Sequence, residues 1–223
     1  MKQVIKKFYT YEDLLENRIP EDIFEVIEGV GIKNMAWSSL HGGWITEIVY
    51  YLKKKFDKDY KILSGEISII ISRNPLTYIN SDILMIKKEK LPKLTKNILE
   101  IAPDLIFEII VSYEPNIDYK MRAYKEIGVL KQFWIYPEEK KVIVIDKEGN
   151  KNEYPFNKKI EIIDNKKILF SRFKIWRIIR QSNNHMLCPV SIGWAKYSKI
   201  NTFKIIRQEI IDFIGGFNGG EAL

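Results

Sequence analysis

Apolar residues recur along this chain with two periods, and the alternation between them lays out a fold. Thr10 precedes YEDLLEN with Asp13 three residues on, the spacing of a capping box, so a short helix is expected there, ended by Pro20. FEVIEG, at 24–29, alternates as a strand does and is expected to turn at Gly29 and Gly31. Ser38 and Ser39 then offer an N-cap for a long helix, HGGWITEIVYYLKKKF at 41–56, with an apolar stripe through Ile45, Ile48, Val49 and Leu52. Three strand-length runs follow: KILSGEISIII at 61–71, TYINSDILMI at 77–86 and DLIFEIIVS at 104–112. Asn74-Pro75 breaks the first pair, and the charged, exposed stretch KKEKLPKLTKN at 87–97 separates the second from the third. IDYKMRAYKEIG at 117–128 has helical spacing, with Asp118 as its expected cap and Gly128 as its stop. QFWIYP and KVIVID are further strands, turning at Glu138-Glu139.

The order helix, strands, helix, strands predicts an α/β chain of the α+β kind, a mixed sheet with helices packed on it. Beyond about Gln181 the rhythm fades, although TFKIIRQEIIDFIGG at 202–216 reads as one amphipathic helix. Residues 1–180 are therefore taken as one domain and 181–223 as an appendage of unknown role.

Composition narrows the class. A chain of 223 residues with 46% hydrophobic content is enough for one packed core. Its single cysteine, Cys188, rules out a disulfide framework and a Cys-type zinc site, and it fits a reducing cytoplasm. The start, MKQVIKKFYTYEDLL, has no long apolar run after its lysines, and no window approaches the roughly 18 apolar residues of a membrane span. A cytoplasmic protein with no membrane partner is expected. Two histidines, His41 and His185, leave little room for a His-rich metal site.

The net charge of +7 is unevenly placed. Residues 1–150 balance, whereas residues 151–223 carry 13 Lys and Arg against 6 Asp and Glu. The densest stretch, KKILFSRFKIWRIIR, holds Lys166, Lys167, Arg172, Lys174, Arg177 and Arg180 with no acid. Interleaved with Phe170, Phe173 and Trp176, it fits a nucleic-acid backbone. Taken alone, the plainer reading is a solvated face around an apolar stripe.

Three acids sit in or beside apolar strands: Glu25 in FEVIEG, Asp82 in INSDILMI and Glu108 in DLIFEII. A buried carboxylate is costly without a partner. Three on separate strands point to one shared partner, and a divalent cation is the natural one. Mg²⁺ takes hard oxygen ligands, often only one or two carboxylates, and the backbone carbonyl of Ile109 is placed to complete such a shell. Lys120 follows Glu108 by 12 residues on the first turn of the next helix, where an ammonium can orient water or offset charge on a phosphate. Tyr124 lies four residues on, on the same face. The plainer readings are a turn-capping Asp82, a surface Lys120 and an outward-facing Glu25.

The succession FEVIEG, M-x-x-S-S-x-H, SDI, APDLIFEIIVS, K-x-x-x-Y-x-x-x-GV and QFWIYP resembles the Uma-two family over roughly residues 8–180. That family is a bacterial group of restriction-endonuclease-like proteins in the PD-(D/E)XK nuclease superfamily. The resemblance implies a core of helix, three strands, helix and strand, with flanking strands. It implies that Asp82 is the acid of the PD block, Glu108 the second acid and Glu25 the Glu before the first glycine turn. Ile110 stands where the superfamily often has lysine, and Lys120 is implied as its substitute. His41 matches a histidine near the start of the long helix, for which capping is the plainer role. The family's usual Arg-Pro-Asp is Asn80-Ser81-Asp82 here, and a Pro-Asp pair appears instead at Pro103-Asp104. Asp104 is read as a supporting or structural acid.

The expected activity is metal-assisted hydrolysis of DNA phosphodiester bonds. Asp82, Glu108 and the Ile109 carbonyl hold Mg²⁺ or Mn²⁺, Glu25 supports them, Lys120 acts on the phosphate or the water, and Asp104, Tyr124 and His41 are possible supports. The basic segment holds the backbone, a homodimer cuts both strands, and no organic cofactor is called for. Two rivals stand beside this: a nuclease-fold module that binds DNA or protein without turnover, and a decayed mobile-element product with a loosely packed tail.

Overall fold

The structure, a computed structural model, describes residues 3–33, 38–112, 114 and 116–173, with side chains from Phe8 onward. In chain order the elements are β1 (Gln3–Phe8), α1 (Tyr11–Leu15), β2 (Glu25–Ile27), β3 (Val30–Lys33), α2 (Ser39–Phe56), β4 (Tyr60–Arg73) and β5 (Leu76–Lys87). Then come β6 (Leu105–Ile109), α3 (Ile117–Glu126), β7 (Lys131–Tyr136), β8 (Lys141–Asp146), β9 (Lys151–Pro155), β10 (Ile160–Ile163) and β11 (Lys166–Ile168). The 181–223 appendage lies outside the described residues, as do Lys174, Arg177 and Arg180.

Local chemistry accounts for most boundaries. The Thr10–Asp13 capping box opens α1, but the helix stops at Leu15, well before Pro20, and Asn17 turns the chain at φ +53°. Glu28 (φ +49°) and Gly29 (φ +80°) both take left-handed backbone and close the tight β2–β3 hairpin. Gly31 lies inside β3 rather than in that turn; a Cβ there would meet the Tyr9 ring at 2.8 Å. The Ser38 side chain caps α2 by accepting from the His41 N–H. The buried stripe of α2 is His41, Trp44, Ile48, Leu52 and Phe56, with Ile45 and Val49 half-buried beside it. In α3 the N-cap position is Asn116; Asp118 sits within the first turn, where its charge suits the helix N-terminus.

Among the described residues, nine strands form one mixed sheet, in the order β1-β3-β2-β5-β6-β7-β8-β9, with β4 also paired to β5. Its β6–β7 pair is parallel, joined by the crossover through α3. One face packs Ile83, Met85, Phe107 and Phe133 against Trp44, Ile48 and Leu52 of α2. The other sets Leu84, Ile106 and Trp134 against Met121, Ala123 and Tyr124 of α3. Both faces are covered, so β5 and β6 are buried almost throughout, as their unbroken apolar runs require. Among the described residues no helix is long and apolar enough to cross a membrane.

The sheet forks at β5. β4 runs antiparallel along its whole length on one edge. β2 and β6 must then share the other edge, β2 at Tyr78 and β6 from Ile83 to Met85. Between these two attachments, residues 79–82 have no strand partner on that edge.

Candidate metal centre

The gap in the fork is filled by side chains. Continuing the β5–β6 register would pair Ser81 with Ile109, but the strands have parted there, and the Ile109 N–H donates to Asp82 Oδ2 at 2.7 Å instead. From the β2 side, Glu25 Oε1 accepts the Asn80 N–H at 3.2 Å. From α3, Lys120 Nζ lies 2.6 Å from Glu25 Oε1 and 3.4 Å from the Asn80 carbonyl. One turn on, the Tyr124 hydroxyl donates to Glu108 Oε1 at 2.7 Å. Glu25, Asp82, Glu108, Ile109, Lys120 and Tyr124, distant in sequence, thus meet in one place. The Asn80 side chain is structural. Its Oδ1 accepts from Ser68 at 2.5 Å and its Nδ2 donates to the Phe24 carbonyl at 2.9 Å, tying β4, β5 and the start of β2 together.

Two further residues approach Asp82 from other sides. His41, on the first turn of α2, places Nε2 at 3.0 Å from Asp82 Oδ2. Glu66 comes from a bulge in β4. Ser64 pairs with Ile83 and Ile67 with Ser81, so Gly65 and Glu66 together stand against Asp82 alone. Both take positive φ, +100° at Gly65 and +63° at Glu66. Such a bulge re-aims the side chain it carries, and here His41, Glu66 and Asp82 offer ligand atoms within 4.8 Å of one another.

The electrostatics are lopsided. Glu25, Asp82 and Glu108 are buried and Glu66 half-buried, with the Lys120 ammonium as the fixed positive charge among them. Burial, and then the Asp82 carboxylate, push the Glu108 carboxyl well above its usual range, with Lys120 opposing them. Burial also works against the Lys120 charge, but Glu25 and then Glu108 outweigh it and hold the ammonium on. The Tyr124 hydroxyl is raised well above a normal tyrosine by burial and by Glu108. A cleft of about 20 Å³ opens beside Glu66, Asp82, Glu108, Ile109 and Lys120. That is room for a water or an ion. Hard oxygen donors, a surplus of buried negative charge and a space of that size fit a divalent cation.

The other expected residues lie elsewhere. Asp104 is four residues before Glu108, about 13 Å along an extended chain. Its carboxylate accepts the Lys87 N–H at 2.7 Å and pairs with Lys90 at 2.6 Å, so it secures the β5–β6 connection and stays out of the cleft. Lys166 and Lys167 lie against the C-terminal half of α2: Lys166 Nζ donates to the Lys55 carbonyl at 3.2 Å, and the Lys167 carbonyl accepts from the Tyr51 hydroxyl. Arg172 follows in a short 3-10 turn, Phe170–Arg172. Glu66 was not anticipated. The signal for it was Ser64-Gly65-Glu66 interrupting the apolar run KILSGEISIII, since a lone glycine inside a strand pattern marks a bulge.

No family model matches this chain, and no curated protein matches it. Among solved structures, one from Anabaena variabilis, described as "a putative nuclease belonging to DUF820", superposes with a TM-score of 0.64 at 17% identity. The match covers 75% of this chain and 98% of that one. The shared element arrangement is that of a restriction-endonuclease-like fold, a mixed sheet with few helices.

Proposed function

We propose that this chain is a metal-dependent endonuclease that hydrolyses DNA phosphodiester bonds. One observation carries the reading: Asp82, Glu108 and Lys120 converge at the fork of the sheet, beside a small cleft, with more buried carboxylates than cations. The resemblance to the Uma-two family supports it, as does the likeness in fold to the Anabaena protein. Asp82 and Glu108 would hold Mg²⁺ or Mn²⁺, with the Ile109 carbonyl beside them and Glu66 within reach. The cation supplies positive charge to the scissile phosphate and lowers the pKa of a water.

The chain's own residues do the remaining work. The Ile109 N–H donates to Asp82 Oδ2 and so holds that carboxylate in one orientation. Tyr124 orients Glu108 in the same way. Lys120, kept protonated by Glu25, presents a fixed positive charge to the negative charge that builds on the phosphate. Lys166, Lys167, Arg172 and the residues that follow them would contact the DNA backbone, and a two-fold dimer would cut both strands.

A second reading rests on one contact. The Lys120 ammonium is bound at 2.6 Å in a buried pair with Glu25, as a purely structural lysine would be. A nuclease-fold module that binds DNA without turnover has the same pair. Cleavage of supercoiled plasmid in Mg²⁺ or Mn²⁺ separates the two. The expected result is metal-dependent cutting that disappears in folded Glu108→Gln and Lys120→Ala variants. A folded wild type inert on duplex, nicked and branched DNA would favour the binding module.

A further inference from the structure

One donor at this centre is a nitrogen, which the oxygen-only shell expected for Mg²⁺ does not use. We propose that His41, Glu66 and Asp82 form a transition-metal position that takes a first-row ion such as Mn²⁺, Co²⁺ or Zn²⁺ in preference to Mg²⁺. The proposal rests on the metal-dependent reading above and specifies the class of ion.

Three features of the site argue for it. The first is donor chemistry. Mg²⁺ demands oxygen and sheds its water reluctantly, whereas imidazole suits the later first-row ions. The second is geometry. His41 Nε2 and Asp82 Oδ2 are 3.0 Å apart. Two ligands at the usual metal–N and metal–O lengths are separated by roughly 3.0–3.4 Å, from right-angle to tetrahedral arrangement. The His41 ring is buried and set at the capped first turn of α2, and the direct hydrogen-bond contact it makes with Asp82 holds the two atoms at the spacing a shared ion would need. Glu66 brings the third donor atom within 4.8 Å of the other two from a half-buried position. The third is charge. Glu66 and Asp82 face each other beside Glu108, while Lys120 is engaged by Glu25. Asp82 Oδ2 is met by the His41 ring and the Ile109 N–H, and a divalent ion between His41, Glu66 and Asp82 relieves the repulsion among the carboxylates.

The bulge is what makes the position. Without the extra residue in β4, the strand would oppose Asp82 with a single residue and Glu66 would change faces.

The test is metal binding by the full-length, EDTA-stripped chain, read without any cleavage assay. Co²⁺ is titrated by its visible absorption, and thermal melts are run in equal concentrations of Mg²⁺, Mn²⁺, Co²⁺ and Zn²⁺. Binding is expected to tighten in the order Mg²⁺, Mn²⁺, Co²⁺, Zn²⁺. His41→Ala is expected to weaken Co²⁺ by at least about tenfold and Mg²⁺ by less than about twofold. Glu66→Gln, at a half-exposed position with little risk to folding, is expected to weaken Co²⁺ by a similar factor. A His185→Ala/Cys188→Ser chain controls for the tail, and a Co²⁺ signal that disappears there overturns the assignment. Equal affinity for Mg²⁺ and Co²⁺, or Co²⁺ binding indifferent to both His41→Ala and Glu66→Gln, overturns it while leaving the metal-dependent reading in place. A wild type that binds none of the four ions removes both.

Discussion

A carboxylate as buried as that of Glu108 costs stability unless a positive charge offsets it. Burial, and then the Asp82 carboxylate, raise its pKa above the 4.5 of a free glutamate. A raised pKa means that the folded state holds this proton more tightly than the unfolded state. The resulting stability is fully present below about pH 4.5 and is lost as pH rises through the folded-state value. Glu108→Gln keeps an oxygen for the Tyr124 hydroxyl and removes the charge. In EDTA the variant should therefore melt above wild type at pH 8, with the gap closing toward pH 5. The gap should be a few degrees, since 1 kcal/mol moves the melting temperature of a domain of this size by about 2–4 °C. In Mn²⁺ the gap should narrow, because a cation beside Asp82 offsets the Glu108 charge that the variant lacks. Melts of both proteins in EDTA and in Mn²⁺ across that pH range check this, and coincident EDTA curves would show that the carboxylate is not strained. Asp82 and Glu108 were legible in the sequence because a carboxylate inside an apolar run is conspicuous. Glu66 was not, because it lies where β4 changes register, and its place depends on which residues of β5 stand opposite.

Two elements set up the centre, and each makes its own prediction. α3 presents Lys120 and Tyr124 four residues apart on one face, toward β2 and β6 respectively. Lys120→Met leaves Glu25, which is 0% exposed, without its ammonium. The cost should be about 3–5 kcal/mol, because one buried charge then has no counter-charge. Adding Glu25→Gln should recover most of the loss, and urea denaturation of the two single variants and the double variant measures that coupling. Additive losses would show that the pair contributes little. The β4 bulge is tested at Gly65, where φ is +100° and an added Cβ would meet nothing within 4 Å. Gly65→Ala should cost about 1 kcal/mol from backbone strain alone, without a clash. The same urea curves report it, and a neutral result would show that the bulge relaxes. The strongly periodic elements, α2 and β4 to β8, were legible. β9 was not, because KNEYP is mostly exposed and is held by main-chain bonds to β8, with no apolar alternation to read.

At the scale of the molecule, one run of basic charge among the described residues lies along α2, away from the candidate metal centre. The helix has 18 residues, about 27 Å, with His41 on its first turn and Lys53, Lys54 and Lys55 on its last. The basic segment runs back along it: Lys166 at Lys55, Lys167 at Tyr51, and Phe173 against Tyr51 and Trp44. A DNA backbone lying on this track would run from the lysine end toward the centre, bridging a distance that neither end spans alone. The lysines at the end of α2 also complement its dipole, so their presence alone does not establish DNA contact. Salt dependence does. Lys54 and Lys167 are exposed. If each meets one phosphate, Lys54→Glu and Lys167→Glu should each lower the slope of log K against log salt by about 0.9. Both should leave metal affinity unchanged and cost about 1 kcal/mol of stability or less, with the larger loss in Lys54→Glu, which puts a negative charge at the C-terminal end of α2. Fluorescence anisotropy with a labelled duplex, from low to moderate salt, measures the slopes. Unchanged slopes in both variants would move the DNA off α2.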